Sequence, residues 1–285
     1  MVSPLLLVDA PYLLYRAFYG LPDSIKGADD LPVNALLGST NTILAVADEH
    51  QARAVVTCFG PDAATYRVEL YPGYHAHRPP MPADLARQWK LAPRLYAALG
   101  WAVRDHDSLE ADDLLGSFAR AEEEAGGEAL ILTGDRDMFQ CAGERVSVLL
   151  LGGRGKRGPE RMGPAEVEAR YGVGPALVAD FIALRGDPSD GLPGMKGIGE
   201  KRAADILRRH GSLANALDAA DRDGPDRNIL ARARAELEAY RDIATLRPVD
   251  VELPPDSPTD RAGGAAAAKE LGMEGLAKRL VAATG

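Results

Sequence analysis

The chain has 285 residues, 46% of them hydrophobic, and a formal net charge of −9. That length and apolar content are enough for a sizeable core in one or two domains. Cys58 and Cys141 make no disulfide framework and match no zinc spacing, and the apolar run Leu5–Val8 is too short for a signal peptide or a spanning helix, so a reducing cytoplasm is expected, without membrane contact.

In chain order, LLLV at 5–8 reads as a first buried strand ending on Asp9, and helical period follows over 33–49. A second strand, AVVTCF at 54–59, leads into Gly60-Pro61-Asp62 and, further on, Arg67. The stretch from Tyr71 to about residue 90 is basic and Pro-rich, with GYHAHRPPMP at 73–82. Helical period returns over 110–124, opening on LEADDL with Glu110, Asp112 and Asp113. Strands then follow at ALILT (129–133), which runs into Asp135 and Asp137, and at VSVLLL (146–151). Short, nearly continuous apolar strands separated by helices indicate a parallel α/β sheet covered on both faces. Ligands in such sheets bind beyond the carboxyl ends of the strands, where Asp9 and Asp135 fall.

A basic run, Arg154, Lys156, Arg157 and Arg161, precedes a change of character near Gly163. Strand signals cease there, and helices are expected at 164–171, 175–185, 200–210 and 212–220, with a longer one from about Arg227 to Leu246. Between them RGDPSDGLPG, carrying Asp187 and Asp190, runs directly into GLPGMKGIGEKRA at 191–203. The residues after Pro248 are rich in Pro and Asp, then in Gly and Ala, and carry no motif.

Eight acids therefore recur in four motifs: Asp9; Glu110, Asp112 and Asp113; Asp135 and Asp137; Asp187 and Asp190. Each motif alone has a structural reading. Asp107 and Glu110 fit a capping box, Asp135 and Asp137 could cap a helix, and Asp187 and Asp190 suit Asx turns. Gathered by the fold, however, eight carboxylates repel one another strongly enough to need divalent cations. Hard oxygen ligands select Mg²⁺ or Mn²⁺, and two such ions suit phosphodiester hydrolysis. The net negative charge argues against a nucleic-acid ligand, but the acid cluster accounts for most of it, and Lys196, Lys201, Arg202, Arg208 and Arg209 concentrate positive charge.

With these motifs in this order, the chain resembles the bacterial 5′-nuclease family, the 5′→3′ exonucleases and flap endonucleases that also form the amino-terminal domain of DNA polymerase I. The resemblance covers about residues 3–250. It implies a PIN-like sheet domain over 1–162 with an arch or clamp at about 71–90, a helix–hairpin–helix module over 163–250, and a tail over 251–285. It further implies that Asp9, Glu110 and Asp112 serve one Mg²⁺ or Mn²⁺ and Asp135, Asp137 and Asp190 a second, with Asp113 and Asp187 close by. Arg16, Arg67 and Arg78 align with family positions that contact phosphate, and Tyr74 is a candidate for stacking on a base. Lys196, Gly197, Ile198, Gly199, Lys201 and Arg202 would hold duplex DNA through phosphate, with K⁺ bound by carbonyls of the same hairpin. The expected partners are DNA with 5′ flaps, nicks or 5′ overhangs, and a DNA polymerase or ligase. A monomeric, stand-alone nuclease is expected.

Two positions depart from the family pattern. Gly60 stands where the family has an aspartate after phenylalanine, and His75 where it has a lysine thought to steady the scissile phosphate. These substitutions favour an alternative, a flap- or duplex-binding protein whose catalysis is weak or lost; a relative acting on RNA is a third reading. If the nuclease reading holds, Gly60→Asp or His75→Lys is expected to raise activity.

Overall fold

A computed structural model describes residues 3–152, 158–222 and 230–283. Arg154, Lys156 and Arg157 of the first basic run, and the expected helix start at Arg227, lie outside the described residues.

Six strands form one sheet in the order β3-β2-β1-β4-β5-β6: β1 (Leu5–Asp9), β2 (Ala54–Cys58), β3 (Ala102–Arg104), β4 (Ala129–Thr133), β5 (Val146–Leu150) and β6 (Glu160–Met162). The first five are parallel and β6 closes one edge antiparallel to β5. β1, β2, β4 and β5 are buried along their whole length, which is why they read as apolar runs. The other two strands were not legible. β3 has three half-buried residues, and β6 carries exposed Glu160 and Arg161 on an edge, where polar residues are tolerated.

Alternation along β1 builds two cores at once. Leu5 and Leu7 face one layer, and Leu6 and Val8 the other. The second layer holds α1 (Ala10–Gly20), α2 (Asn34–Glu49) and α4 (Ala83–Ala98); the first holds α5 (Ala111–Glu124) and, beyond it, the helical module. Burying each leucine of this kind contributes about 1.5–3 kcal/mol, so one strand anchors both faces. The short α3 (Thr65–Leu70) lies between the sheet and the clamp segment.

The module contains α6 (Pro164–Tyr171), α7 (Val178–Arg185), α8 (Glu200–His210), α9 (Leu213–Asp221) and α10 (Arg234–Ala244). Pro175–Leu177, expected as the start of α7, is a separate 3₁₀ turn. α10 packs against α7 and reaches α3, so module and sheet share the first core.

Residues after Pro248 run back over the sheet domain. Ser257 N–H donates to the Arg53 carbonyl at 2.8 Å and Asp260 N–H to the Leu99 carbonyl at 2.8 Å. Two helices follow, α11 (Arg261–Glu270) and α12 (Glu274–Ala282), and Ala265, Ala268, Met273, Leu276 and Leu280 complete the second core beside α4. Their Gly-Ala composition hid this, because small residues allow close approach without an obvious apolar stripe. No helix among the described residues is long and apolar enough to cross a membrane.

Candidate active site

The chain runs outward through β1, β2 and β3, then returns to β4 beside β1. The crevice at that reversal lies at the carboxyl ends of β1 and β4, the place where open α/β sheets bind ligands. Asp9 ends β1 and caps α1, accepting from Tyr12 N–H at 2.9 Å and from Thr133 Oγ1–H at 2.6 Å. Asp135 follows β4 by two residues; its N–H donates to Thr133 Oγ1 at 3.0 Å, and its Oδ1 accepts from Asp137 N–H at 2.9 Å. Thr133 thus ties two acidic motifs together, a role its sequence context did not reveal.

Glu110 and Asp113 form the start of α5. The expected capping box at Asp107 and Glu110 sits one turn later: Glu110 is the N-cap, and Asp113 Oδ2 accepts from Glu110 N–H at 3.2 Å. Glu110 is buried, with Oε1 accepting from Ala64 N–H at 2.7 Å and Oε2 from the Tyr74 hydroxyl at 2.9 Å. Asp112 occupies the first turn between them and faces Asp9 and Asp135.

The 187–192 loop arrives from the helical module. Paired backbone hydrogen bonds between Asp187 and Leu192 close it, and Asp187 Oδ1 accepts from Ser189 N–H at 2.8 Å, the Asx turn that its sequence suggested. Arg185 Nη2 holds Asp187 at 3.1 Å while its guanidinium lies over the Tyr171 and Phe181 rings. Asp190 Oδ1 meets His75 Nε2 at 3.1 Å and Arg78 Nη2 at 3.4 Å. The cluster therefore draws on every one of the four acidic motifs.

Its electrostatics are unfavourable as it stands. Burial, followed by Asp135, Asp9 and Glu110, raises the Asp112 carboxyl well above the usual range. Burial and then Asp135, Asp190 and Asp187 do the same to Asp137. Asp135 is pushed up to about 7 by burial and Asp190, and Asp9 is raised by burial against the pull of Thr133 and Tyr12. Among the described residues no three of these side chains are already arranged to hold an ion. Several are instead engaged by His75, Arg67, Arg78 and Arg185. Asp137 Oδ1, however, is a buried carboxylate oxygen without a partner, and an all-oxygen donor set of mutually raised carboxyls fits a hard divalent cation.

A cavity of about 600 Å³ opens over this cluster, lined by Asp9, Glu110, Asp112, Asp135 and Asp190 on its floor and by Tyr15, Tyr19, Met81 and Trp89 on its wall. The clamp segment also contributes Tyr74, His75 and Arg78 to this lining. His75 is buried at φ 54°, a left-handed conformation costly for a side chain, with Nδ1 at 2.5 Å from the Asp62 carbonyl and its ring stacked on Tyr74 at 3.9 Å.

Several expected contacts are placed elsewhere. Tyr74 is 5% exposed and spends its hydroxyl on Glu110, so it is a support for that acid and presents no face to a base. Arg67, at 3% exposure, is enclosed among Glu110, Asp113 and Ile243, out of reach of a phosphate. Arg16 is exposed and donates to the Gly152 carbonyl at 3.1 Å, and Arg78 is one-third exposed between Asp62 and Asp190. Gly60 is packed against the turn before α5, where a Cβ would lie 2.5 Å from the Leu109 carbonyl oxygen and 2.9 Å from Ala111 N. The close approach replaces the side chain.

In the helical module the Gly-rich hairpin joins α7 to α8. Met195 N–H donates to the Leu184 carbonyl at 2.8 Å, and Gly197 adopts φ 84°, a turn that excludes most side chains. Lys196, Gly197, Gly199, Lys201 and Arg202 are exposed at the amino end of α8. Ile198 is different: its side chain is buried and its N–H is bonded to Met195, so it anchors the hairpin from below.

The sequence of this chain matches two family models that adjoin one another over residues 4–262. The 5′-3′ exonuclease N-terminal resolvase-like domain covers residues 4–172, and the 5′-3′ exonuclease C-terminal SAM fold covers 173–262. A thermostable DNA polymerase I of Thermus filiformis is 40% identical over 249 residues, which are 87% of this chain and 29% of that one. The chain thus spans about three-tenths of the length of these polymerase relatives. A 5′-3′ exonuclease of Mycobacterium tuberculosis is 38% identical over 241 residues, 78% of this chain and 75% of that one. Among solved structures, the T5 D15 protein co-crystallised with metal ions superposes with a TM-score of 0.72 over 98% of each chain at 18% identity. The catalytic core of Rad2 in complex with DNA substrate gives 0.64 over 98% of this chain and 91% of that one at 15% identity, so both share the fold.

Proposed function

The chain belongs to the 5′-3′ exonuclease family, and from that premise we propose that it is a divalent-cation-dependent 5′→3′ exonuclease and structure-specific 5′-flap endonuclease acting on DNA. The observation that carries this reading is the set of buried and half-buried, mutually repelling carboxylates that line the cavity, with the unpartnered Oδ1 of buried Asp137 beside them in the same cluster. Asp9, Glu110 and Asp112 would hold one ion and Asp135, Asp137 and Asp190 a second, with Mg²⁺ or Mn²⁺ suiting an all-oxygen set. Bound there, the cations supply Lewis-acid activation of water and offset charge that builds on the phosphoryl group.

The chain's own residues do the rest. Thr133 and Tyr12 N–H orient Asp9, Tyr74 and Ala64 N–H orient Glu110, and the Arg67 guanidinium pairs with the Glu110 charge. Arg78, partly exposed at the cavity wall, offers a guanidinium fork to the scissile phosphate. The hairpin would present backbone and the positive end of α8 to duplex phosphates, its carbonyls would be the ligands for a K⁺, and Lys196, Lys201 and Arg202 would add charge. A DNA polymerase or ligase that fills or seals the trimmed strand is the partner class this activity calls for.

The test is cleavage of a 5′-labelled flap duplex in Mn²⁺ and in Mg²⁺, with binding measured in Ca²⁺ and Asp135→Ala as control. Cleavage near the junction that disappears in Asp135→Ala supports the reading. Tight binding in Ca²⁺ with no cleavage in either activating metal would make this a flap-recognising protein without chemistry.

A further inference from the structure

Among the described residues, Arg67 is the most deeply buried Lys or Arg, and it lies at the junction of the two domains. It sits on α3 at 3% exposure, and its donors go to different elements. Nη1 forms an ion pair with Glu110 Oε1 at 2.9 Å without a directed hydrogen bond, Nη2 donates to Asp113 Oδ1 at 3.0 Å, and Nε donates to the Ile243 carbonyl at 3.0 Å. Ile243 is in the last turn of α10, whose carbonyl end carries partial negative charge. The contact is reinforced from the module side. Arg247 N–H donates to the same Asp113 Oδ1 at 2.8 Å, and the Arg247 guanidinium lies 3.3 Å from the centre of the Tyr66 ring, which Arg67 also faces at 5.1 Å.

A planar guanidinium can direct donors to Asp113 and to the Ile243 carbonyl at once while its charge faces Glu110; an ammonium cannot. The charge that Glu110 is paired with, and the donor that holds Asp113 in the same turn, therefore belong to a group that is itself fixed by the helical module. We propose that Arg67 is a positioning residue that couples the two domains: the seating of α10 is transmitted through Arg67 to Glu110 and the first turn of α5, and so to the acidic floor of the cavity. This rests on the hydrolytic reading of that floor. It adds to it that the duplex-gripping module aligns the catalytic acids as well as holding the substrate.

The test uses the full chain and Arg67→Lys, which keeps the charge and gives up the fork. Binding of the flap duplex in Ca²⁺ and KM are expected to stay within about twofold, whereas kcat at saturating Mn²⁺ falls by roughly 10–100-fold, the usual cost of losing a group that orients a metal ligand. The Mn²⁺ concentration for half-maximal rate rises with it, and neither loss recovers on cooling well below the melting temperature. Arg247→Ala gives a second arm if Arg67→Lys does not fold, because it removes the guanidinium laid over the Tyr66 ring beside Arg67 while keeping the backbone N–H bond to Asp113, every acid and Arg67; a fall in kcat of a few-fold at unchanged KM is expected. Wild-type kcat and Mn²⁺ dependence in whichever variant folds overturns the coupling, as does a loss that falls equally on binding and turnover and recovers on cooling. A wild-type chain that cleaves nothing under these conditions would sink the hydrolytic reading itself, a distinct outcome from a cleaving wild type matched by its variants.

Discussion

At the carboxyl end of the sheet, buried Asp9 and Asp137 and half-buried Asp112 and Asp135 are set against one another, so desolvation and mutual repulsion raise their proton affinity. In the hairpin of the helical module, Lys196, Lys201 and Arg202 are exposed, and an added Cβ at Gly197 or Gly199 would meet nothing within 4 Å. Both regions face a phosphodiester backbone on the reading above, yet only one is under electrostatic strain before it does so. The contrast teaches that reactivity and grip are built by opposite means. A reactive floor is made by desolvating like charges that a cation then relieves, and a grip is made by leaving backbone and positive charge in water, ready for an anion.

The sharpest way to break that division is a pair of substitutions, one in each region. Asp112→Asn is expected to lower kcat on the order of a thousandfold, since cation-assisted stabilisation amounts to several kcal/mol and each 1.36 kcal/mol is tenfold, with binding in Ca²⁺ unchanged. Gly197→Ala adds a side chain at φ 84°, where it costs about 1–2 kcal/mol, so the hairpin distorts, and KM is expected to rise roughly tenfold at constant kcat. Steady-state kinetics on one flap duplex separate the two. A fall in kcat with Gly197→Ala, or lost Ca²⁺ binding with Asp112→Asn, would show that the regions do not divide the labour.

The strain in the acidic floor has its own signature in metal-free protein. Asp135 titrates at about 7 when folded against an ordinary value of 3.8, and Asp9, Asp112 and Asp137 shift the same way. Between those two pH values the folded chain binds more protons than the unfolded one, so this contribution to stability is complete below about pH 4 and is lost as pH rises through about 7. Thermal melts in EDTA should therefore fall, by roughly 5 °C between pH 5 and pH 8, and Mn²⁺ should restore the difference at pH 8. Asp135→Asn is expected to flatten the profile. A metal-free melting temperature that rises over this window would mean that the floor is already neutralised by Arg67, Arg78 and Arg185.

How much of this was legible in the sequence follows the same division. Strands β1, β2, β4 and β5 and their terminal acids were legible because a doubly covered parallel strand writes an unbroken apolar run and stops at the residue that faces the crevice. Helices α6 and α8 showed their bounds through Pro164, Gly199 and Gly211. What failed concerns side-chain direction. Arg67, Tyr74 and Ile198 stand in motifs that suggest contact with a substrate, and each turns inward, toward Glu110 or the module core, because one-dimensional spacing does not say which side of a short turn is covered. Thr133 and Arg185 were missed for the converse reason: their partners are remote in sequence or come from a ring stack that no local pattern encodes.

Gly60 offers the finest test of where the reactive region ends. Sequence pattern alone expects an added carboxylate at this position to raise activity, whereas the structure fills the space with the Leu109–Ala111 backbone, the turn that presents Glu110. A side chain at 60 must displace that turn, at about 1–3 kcal/mol for overpacking of this kind. Both Gly60→Ala and Gly60→Asp are accordingly expected to lower the melting temperature by a few degrees and to reduce cleavage at limiting Mn²⁺. The alanine variant matters because it carries the Cβ without the carboxylate: equal losses in both assign the effect to the backbone contact. If Gly60→Asp instead gained activity while Gly60→Ala lost it, the turn would have yielded, and a further acid would have joined the floor that the sheet already builds.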